Sequence, residues 1–177
     1  MCIRDSLKTP SGKIEIFSST VASFAYDDCL GHPAWFAPPE WLGAAEDTYP
    51  LHLLSNQPRT KLHSQLDQGP VAAAAKIQGR EEVQMHKDDA AARGIEEGDI
   101  IRLFNARGAI YVGVRITDQI RHGVVMVPTG AWLDLDKDDP ELCKHGNPNM
   151  LAPDRPTSKL AQGPAAHSCL VQAEAVD

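Results

Sequence analysis

The chain has no Cys-x-x-Cys pair. Its four cysteines, Cys2, Cys29, Cys143 and Cys169, stand far apart, so the spacing required by a zinc ribbon, an iron–sulfur site or a thioredoxin-type dithiol is missing. Four cysteines in 177 residues are sparse for a disulfide framework, and isolated buried or half-buried thiols are expected instead. No apolar run approaches the ~18 residues that span a bilayer, and Met1 to Leu7 holds no apolar segment of the signal-peptide kind. Positive charge is also in deficit: 17 Lys and Arg against 24 Asp and Glu give −7. That sign disfavours a general nucleic-acid coat and a membrane-surface binder. The common catalytic signatures are absent as well, with no G-x-S-x-G, H-E-x-x-H, G-x-x-x-x-G-K-[ST] or G-x-G-x-x-G. Of seven histidines, no two have a convincing ligand spacing, so a metal held by this chain alone is not expected. The acidic run Asp134 to Glu141 lacks the glycine and spaced ligands of a calcium loop and reads as a solvated face.

What is present fits a soluble globular composition, with 42% apolar and 23% charged residues. The length suffices for one core plus an appendage. Thirteen glycines and 13 prolines imply many turns between short elements, which leans toward β architecture. The opening Met1 to Ser6 has no continuity with the residues after it and reads as a short non-native scar, which makes the chain a fragment of something longer. Ile14 and Ile16 alternate with polar residues and predict a strand within 10–19, and Val21, Phe24 and Ala25 predict a short helix within 18–28. From Gly31 to Trp41 the density of proline and aromatic residues predicts an extended segment laid on another surface. Leu42 to Thr48 reads as a boundary. Beyond it, strands are expected at 50–55, 80–85, 100–105, 109–116, 124–127 and 168–174. A short helix starts on Asp88 and Asp89 and stops at Gly94, and Ala106-Arg107-Gly108 is a hairpin turn. Six or so short strands with two small helices amount to a compact β-barrel with helical insertions.

Three loops are too polar to be mere connections. Ser55 to Gln65 follows a buried strand and concentrates Ser55, Asn56, Gln57, His63, Ser64 and Gln65 with Arg59, Thr60 and Lys61. It reads either as a solvated turn with a helix cap or as a recognition loop for a polar ligand. Pro128 to Trp132 offers a glycine for close backbone approach and the flat face of Trp132, unless that ring merely flanks the core. Gly146 to Gly163 is long and irregular and carries Asn149, Asp154, Ser158 and Gln162. Segments of that kind are surface loops with Asx turns or ligand-binding loops. His63 beside Ser64 is not a catalytic pair, because sequence neighbours rarely face each other.

Taken together the loops resemble a known family. Leu54-Ser55-Asn56-Gln57-Pro58 and Leu62-His63-Ser64-Gln65 resemble the start of the C-terminal domain of molybdopterin-guanine-dinucleotide oxidoreductases. The nearest branch is that of the dimethyl sulfoxide, trimethylamine N-oxide and biotin sulfoxide reductases. The stretch from Asp88 to Asp99 with Asn105 to Gly108 is similar to the middle of that domain, and Cys143 to Asn149 through Thr157 to Gly163 to its ending. The resemblance spans residues 50 to 177, while 7 to 49 resemble the tail of the preceding catalytic domain and its connector.

The resemblance implies a mainly β fold with short helices: a six-stranded double-psi β-barrel of the aspartate-decarboxylase-like kind, preceded by an extended segment from the upstream domain. It implies that Ser55, Asn56, Gln57, His63, Ser64, Gln65, Trp132, Asn149, Asp154, Ser158 and Gln162 bind cofactor, with Arg59, Lys61 or Lys159 near a phosphate. The cofactor implied is molybdenum bis(molybdopterin guanine dinucleotide), held jointly with upstream domains of the same polypeptide. Those domains bring the metal ligand, a serine in this branch, and most of the substrate funnel. The chain is therefore expected to be inactive alone, and the parent to act on a small S-oxide or N-oxide, with no nucleic acid and no membrane span. The family works in both bacterial periplasm and cytoplasm, and the sequence leaves that choice open. Two rivals use the same barrel. One is a free-standing binding or interaction module without redox activity. The other is a self-processing decarboxylase, which needs a cleavable Gly-Ser that this sequence lacks.

Overall fold

The computed structural model of the chain describes residues 7–176. They divide into two compact units, one made of 7–37 with 155–164 and the other of 38–154 with 165–176. Among the described residues no helix is long and apolar enough to cross a membrane.

The larger unit holds seven strands: β1 (Leu51–Leu54), β2 (Glu82–His86), β3 (Ile100–Asn105), β4 (Gly108–Thr117), β5 (Val124–Met126), β6 (Leu142–Cys143) and β7 (Leu170–Ala175). Hydrogen bonding runs β2-β5-β1-β7-β3-β4, and β4 returns to β2 from Gly113↔Glu82 to Thr117↔His86. Six strands thus close into the expected double-psi barrel and leave no free edge among themselves. The two-residue β6 lies beside the start of β4. Pairing is parallel for β1 with β5 and β2 with β4, and antiparallel for β1 with β7, β2 with β5, β3 with β4 and β3 with β7.

Alternation puts one face of each short strand inside. Leu51 and Leu53 of β1, Val83 and Met85 of β2, and Ile101 and Leu103 of β3 are buried. Ala109 to Val114 of β4 reads as a nearly continuous apolar run, because that strand meets β3, β2 and β6 along its length. These side chains meet Ile110, Val112, Val125, Val127, Leu151 and Val171 in one core. In the β3–β4 hairpin, Asn105 Oδ1 accepts the Arg107 N–H at 2.9 Å and Asn105 pairs with Gly108, which fixes a two-residue turn. Helix α3 (Lys87–Ala91) is capped by His86, whose Nδ1 accepts the Asp88 N–H at 3.2 Å.

In the smaller unit, helix α1 (Ser19–Ala22) is capped by Ser18, and Lys159 ties the two segments together through its Nζ to Asp27 at 2.6 Å and its N–H to Asp28 at 3.0 Å. The strand expected within 10–19 does not form. Ile14 and Ile16 are 82% and 78% exposed, and among the described residues no strand pairs with them, so alternation alone had nothing to pair with. Helix α2 (Pro70–Ala75) and β6 were not expected. Cys143 and Cys169 are buried free thiols and Cys29 a half-buried one, as expected. Cys2 and the proposed scar lie outside the described residues.

Candidate functional site

The parallel pairing of β1 and β5 makes both strands leave the barrel at the same end. Beyond the strands the chains stay together: Val127 N–H reaches Leu54 O at 3.0 Å and Thr129 N–H reaches Asn56 O at 2.9 Å. The loop 55–67 after β1 therefore faces the loop 127–133 after β5. A third wall is the 3-10 turn Pro148–Met150, capped by Asn147 Oδ1 accepting the Asn149 N–H at 3.0 Å. The three walls enclose a cleft of about 440 Å³ lined by Gln57, His63, Ser64, Thr129, Gly130 and Asn149. Its lining is amide, hydroxyl and imidazole without a carboxylate, suited to a polar ligand read by hydrogen bonds.

The expected residues sort clearly. Gln57, His63, Ser64 and Asn149 line the cleft together. Asn56, between them and β1, keeps its Oδ1 buried without a hydrogen-bond partner among the described residues. An acceptor in that state awaits a donor. Trp132 is 52% exposed and gives its indole N–H to Ser64 O at 2.7 Å. Ser55 gives its N–H to His167 Nδ1 at 3.4 Å, and Gln65 closes a tight turn on Leu62 O at 2.9 Å. Asp154 is an exposed carboxylate of the larger unit. Ser158 and Gln162 belong to the smaller unit, where Ser158 Oγ accepts the Ala161 N–H at 2.9 Å and Gln162 is exposed. Thr129 and Gly130 complete the lining; the glycine of that loop was a visible signal, the threonine was not.

One expectation is corrected. Lys61 is not a free cation for a phosphate. It is buried, with Nζ 2.5 Å from Asp67 Oδ1 and 2.6 Å from Glu81 Oε2, while Lys76 Nζ lies 2.9 Å from the same Asp67 oxygen. Lys159 is likewise engaged, by Asp27. Arg59 is exposed and has no ion pair among the described residues. Burial works against the ionised Asp67, but Lys61, the Trp132 N–H and Lys76 outweigh it and hold the carboxyl below its usual range. For Glu81 burial prevails over the Lys61 ammonium and the acid is raised. Asp67, Lys76 and Glu81 carry no motif that marks them in the sequence.

A second network braces the Asn149 wall. Arg107 holds Glu40 in a bidentate pair, at 2.7 and 2.8 Å, and its Nε reaches Leu151 O at 2.6 Å, just after the 3-10 turn. Asn105 Nδ2 reaches the same carbonyl at 3.0 Å. Beside them burial pushes the Cys169 thiol up to about 11, against the pull of Arg107.

Comparison with known proteins bears on this architecture. Biotin sulfoxide reductase of Cereibacter sphaeroides is 48% identical over 170 residues, covering 96% of this chain and 22% of the relative. Trimethylamine-N-oxide reductase of Haemophilus influenzae is 45% identical over 171 residues, 95% of this chain and 21% of the relative. The chain thus spans about a fifth of the length of the curated relatives it matches. Among solved structures, acetylene hydratase from Pelobacter acetylenicus superposes with a TM-score of 0.75 at 19% identity, over 95% of this chain and 24% of that one, a likeness of fold. Residues 51–170, which include the barrel from β1 to the start of β7 and every wall of the cleft, match the family described as the molydopterin dinucleotide binding domain, and the chain belongs to that family.

Proposed function

We propose that this chain forms one side of the cradle for molybdopterin guanine dinucleotide in a molybdenum-dependent reductase of S-oxides or N-oxides. The remaining four fifths of a longer polypeptide completes the cradle, as the length of the relatives supports. In this reading residues 7–49 lead in from the preceding domain, 50–177 are the dinucleotide-binding portion, and two dinucleotides share one molybdenum. The relatives named for biotin sulfoxide and trimethylamine N-oxide support the substrate class.

The observation that carries the reading is the cleft itself. Gln57, His63, Ser64 and Asn149 converge on one cleft from two distant loops, and the adjacent Asn56 Oδ1 is a buried acceptor lacking a donor among the described residues. A guanine edge presents N–H donors that such an oxygen accepts, and uncharged amides and hydroxyls can hold ribose and phosphate oxygens without a basic protein as a whole. Arg59, exposed and without an ion pair among the described residues, can offset a phosphate. Ser55, Gln65, Trp132 and Asp154 complete the proposed contact set of the larger unit, with Asp154 accepting from a guanine edge; Ser158 and Gln162 are the residues of the smaller unit proposed to contact cofactor. When bound, the cofactor supplies two-electron oxygen-atom transfer: S-oxide or N-oxide plus two electrons and two protons gives sulfide or amine plus water. The protein's share is to bind and orient that group.

The test replaces the corresponding C-terminal segment of Cereibacter sphaeroides biotin sulfoxide reductase with this chain. The chimera is expected to contain molybdenum, release guanine nucleotide on acid hydrolysis and reduce biotin sulfoxide. Asn56→Ala and Asn149→Ala together are expected to lower nucleotide content at least severalfold. Full nucleotide content in that double variant refutes the cleft as the site. A chimera that folds but takes up no cofactor favours the free-standing binding module.

A further inference from the structure

The two loops that wall the cleft meet through backbone bonds next to the strands, through the Trp132 indole and Ser64 O, and through one buried carboxylate, Asp67. Asp67 Oδ1 receives the ammonium groups of Lys61 and Lys76, and Oδ2 receives the backbone N–H of Trp132 at 3.0 Å and Gln68 Nε2 at 3.3 Å. Lys61 also gives its ammonium to Glu81, beside β2, and its carbonyl accepts Gln57 Nε2 at 2.8 Å. Trp132 closes the circuit by giving its indole N–H to Ser64 O. The path therefore runs from Gln57 through Lys61, Asp67 and Trp132 to Ser64, and both of its ends line the cleft. The four charged side chains are 0%, 0%, 5% and 9% exposed for Asp67, Lys61, Lys76 and Glu81.

Apolar packing is one-sided here. Val127 and Ala131 of the second loop are buried, whereas Leu62, Leu66 and Leu133 are 57%, 78% and 57% exposed, so the large side chains of these loops form no hydrophobic interior between them. Two ammonium groups and two carboxylates make a neutral buried set. Such a set adds little stability over an apolar replacement of the same volume, but its bonds are directional and fix geometry.

We propose that Asp67 is a positioning residue for the cleft: it locks the wall formed by the loop after β1 to the wall formed by the loop after β5, so that the cleft stands preformed before a ligand arrives. Its consequence for cofactor rests on the function proposed above, whereas the lock itself is testable without any ligand. A preformed site avoids the ordering cost of binding.

The test is amide and indole hydrogen exchange by NMR on the chain and on Asp67→Asn. The lock predicts that the Trp132 backbone and indole N–H groups exchange about tenfold faster, because asparagine keeps a single acceptor oxygen, which cannot serve both Trp132 and the two ammonium groups, and lacks the charge that strengthens these bonds. The amides of Leu103 and Val112 in the barrel are expected to keep their rates. Acceleration of all of these by a common factor means that Asp67 serves only overall stability, and that overturns the proposal, as does an unchanged Trp132. Should Asp67→Asn not fold, the neutral double variant Lys61→Met with Glu81→Gln decides. It leaves the Lys76–Asp67 pair and the Trp132 N–H bond in place and frees only the first wall. Faster indole exchange with an unchanged Trp132 backbone N–H supports the lock; unchanged indole exchange overturns it. In the chimera, Asp67→Asn is expected to lower guanine nucleotide content. Asn56→Ala separates the two claims, since it should lower nucleotide content while leaving Trp132 exchange unchanged. Full nucleotide content with Asn56→Ala counts against the assignment of the cleft and leaves the lock standing.

Discussion

Gly130 packs its backbone against the His63 carbonyl of the facing loop, and replacing it with alanine probes how tightly the cleft is built. Its φ is +94°, a backbone region that costs an L side chain about 1–2 kcal/mol. An added Cβ would lie 1.8 Å from His63 O, 2.4 Å from its carbonyl carbon and 3.0 Å from Ser64 N. These are backbone atoms, so no side chain can swing aside. Relieving the contact means moving one loop against the other, an overpacking cost of about 1–3 kcal/mol. Gly98 provides the control: its φ is +87° and nothing lies within 4 Å of its added Cβ, so Gly98→Ala carries the backbone cost alone. Gly130→Ala is expected to destabilise by about 2–5 kcal/mol and Gly98→Ala by about 1–2 kcal/mol. At 2–4 °C per kcal/mol for a chain of this size, the melting temperature should fall roughly twice as far for Gly130→Ala. The assay is thermal unfolding by circular dichroism, with amide shifts of His63 and Ser64 as the local readout. Equal losses in the two variants, or unmoved His63 and Ser64 amides, refute the close approach.

Three further outcomes are expected from the networks around the cleft. Arg107→Met removes a bidentate pair to Glu40 and a bond to Leu151 O; discounted for partial exposure, the loss is about 2 kcal/mol, and thermal unfolding should show a larger drop than for Glu40→Gln, which keeps an acceptor. The buried thiols Cys143 and Cys169, the latter raised to about 11 by burial, should resist iodoacetamide at pH 8 while Cys29 reacts, and peptide mass spectrometry that finds all three labelled in native buffer contradicts their burial. The buried acids should give opposite pH slopes. Asp67 is depressed below 3.8, so the stability of the native chain relative to Asp67→Asn is present above that value and is lost as pH falls through the depressed pKa. Glu81 is raised above 4.5, so stability relative to Glu81→Gln is present below 4.5 and is lost as pH rises through the raised pKa. Melting curves from pH 3 to 8 with slopes of the same sign refute this assignment.

The β3–β4 hairpin could be read from the sequence because its signals are local: strict alternation from Ile100 to Asn105, a two-residue turn, then the return strand. The start and stop of α3 were equally local. Where local and distant requirements part, the reading failed. Ile14 and Ile16 have the alternation of a strand, but a strand exists only with a partner. The two residues of β6 are a strand because Ala109 and Ile110 lie on one side of them and Leu135 bridges Cys143 on the other. Helix α2 did carry a readable mark, Pro70 at its first position after Gly69. At the cleft, the polar character of the two loops was evident, and so was their membership in one family. The fate of Lys61 was not, because a lysine in a polar loop suits a phosphate and a carboxylate alike, and Glu81 stands twenty positions away.

Barrel topology explains why that distant glutamate is within reach. Strands β1 and β5 run parallel, so Ser55 and Val127 emerge at one end of the barrel. Strand β2 pairs antiparallel with β5, Gln84 opposite Met126, so β2 must enter where β5 leaves, and Glu81 at its threshold stands among the emerging loops. The start of β4 is tied to the third wall through Arg107 and Asn105, which share Leu151 O. Two loops and a 3-10 turn, scattered from Gln57 to Asn149, thus converge because the strand order sends them to the same place. The barrel core fixes where the loops begin and end, and their exposed leucines cannot decide how they lie. That task falls to directional bonds: Thr129 to Asn56, Trp132 to Ser64, and above all the buried charges centred on Asp67. The hydrophobic core accounts for the cleft's location and the charge network for its shape, so changes to the network should alter ligand fit more than they alter the barrel.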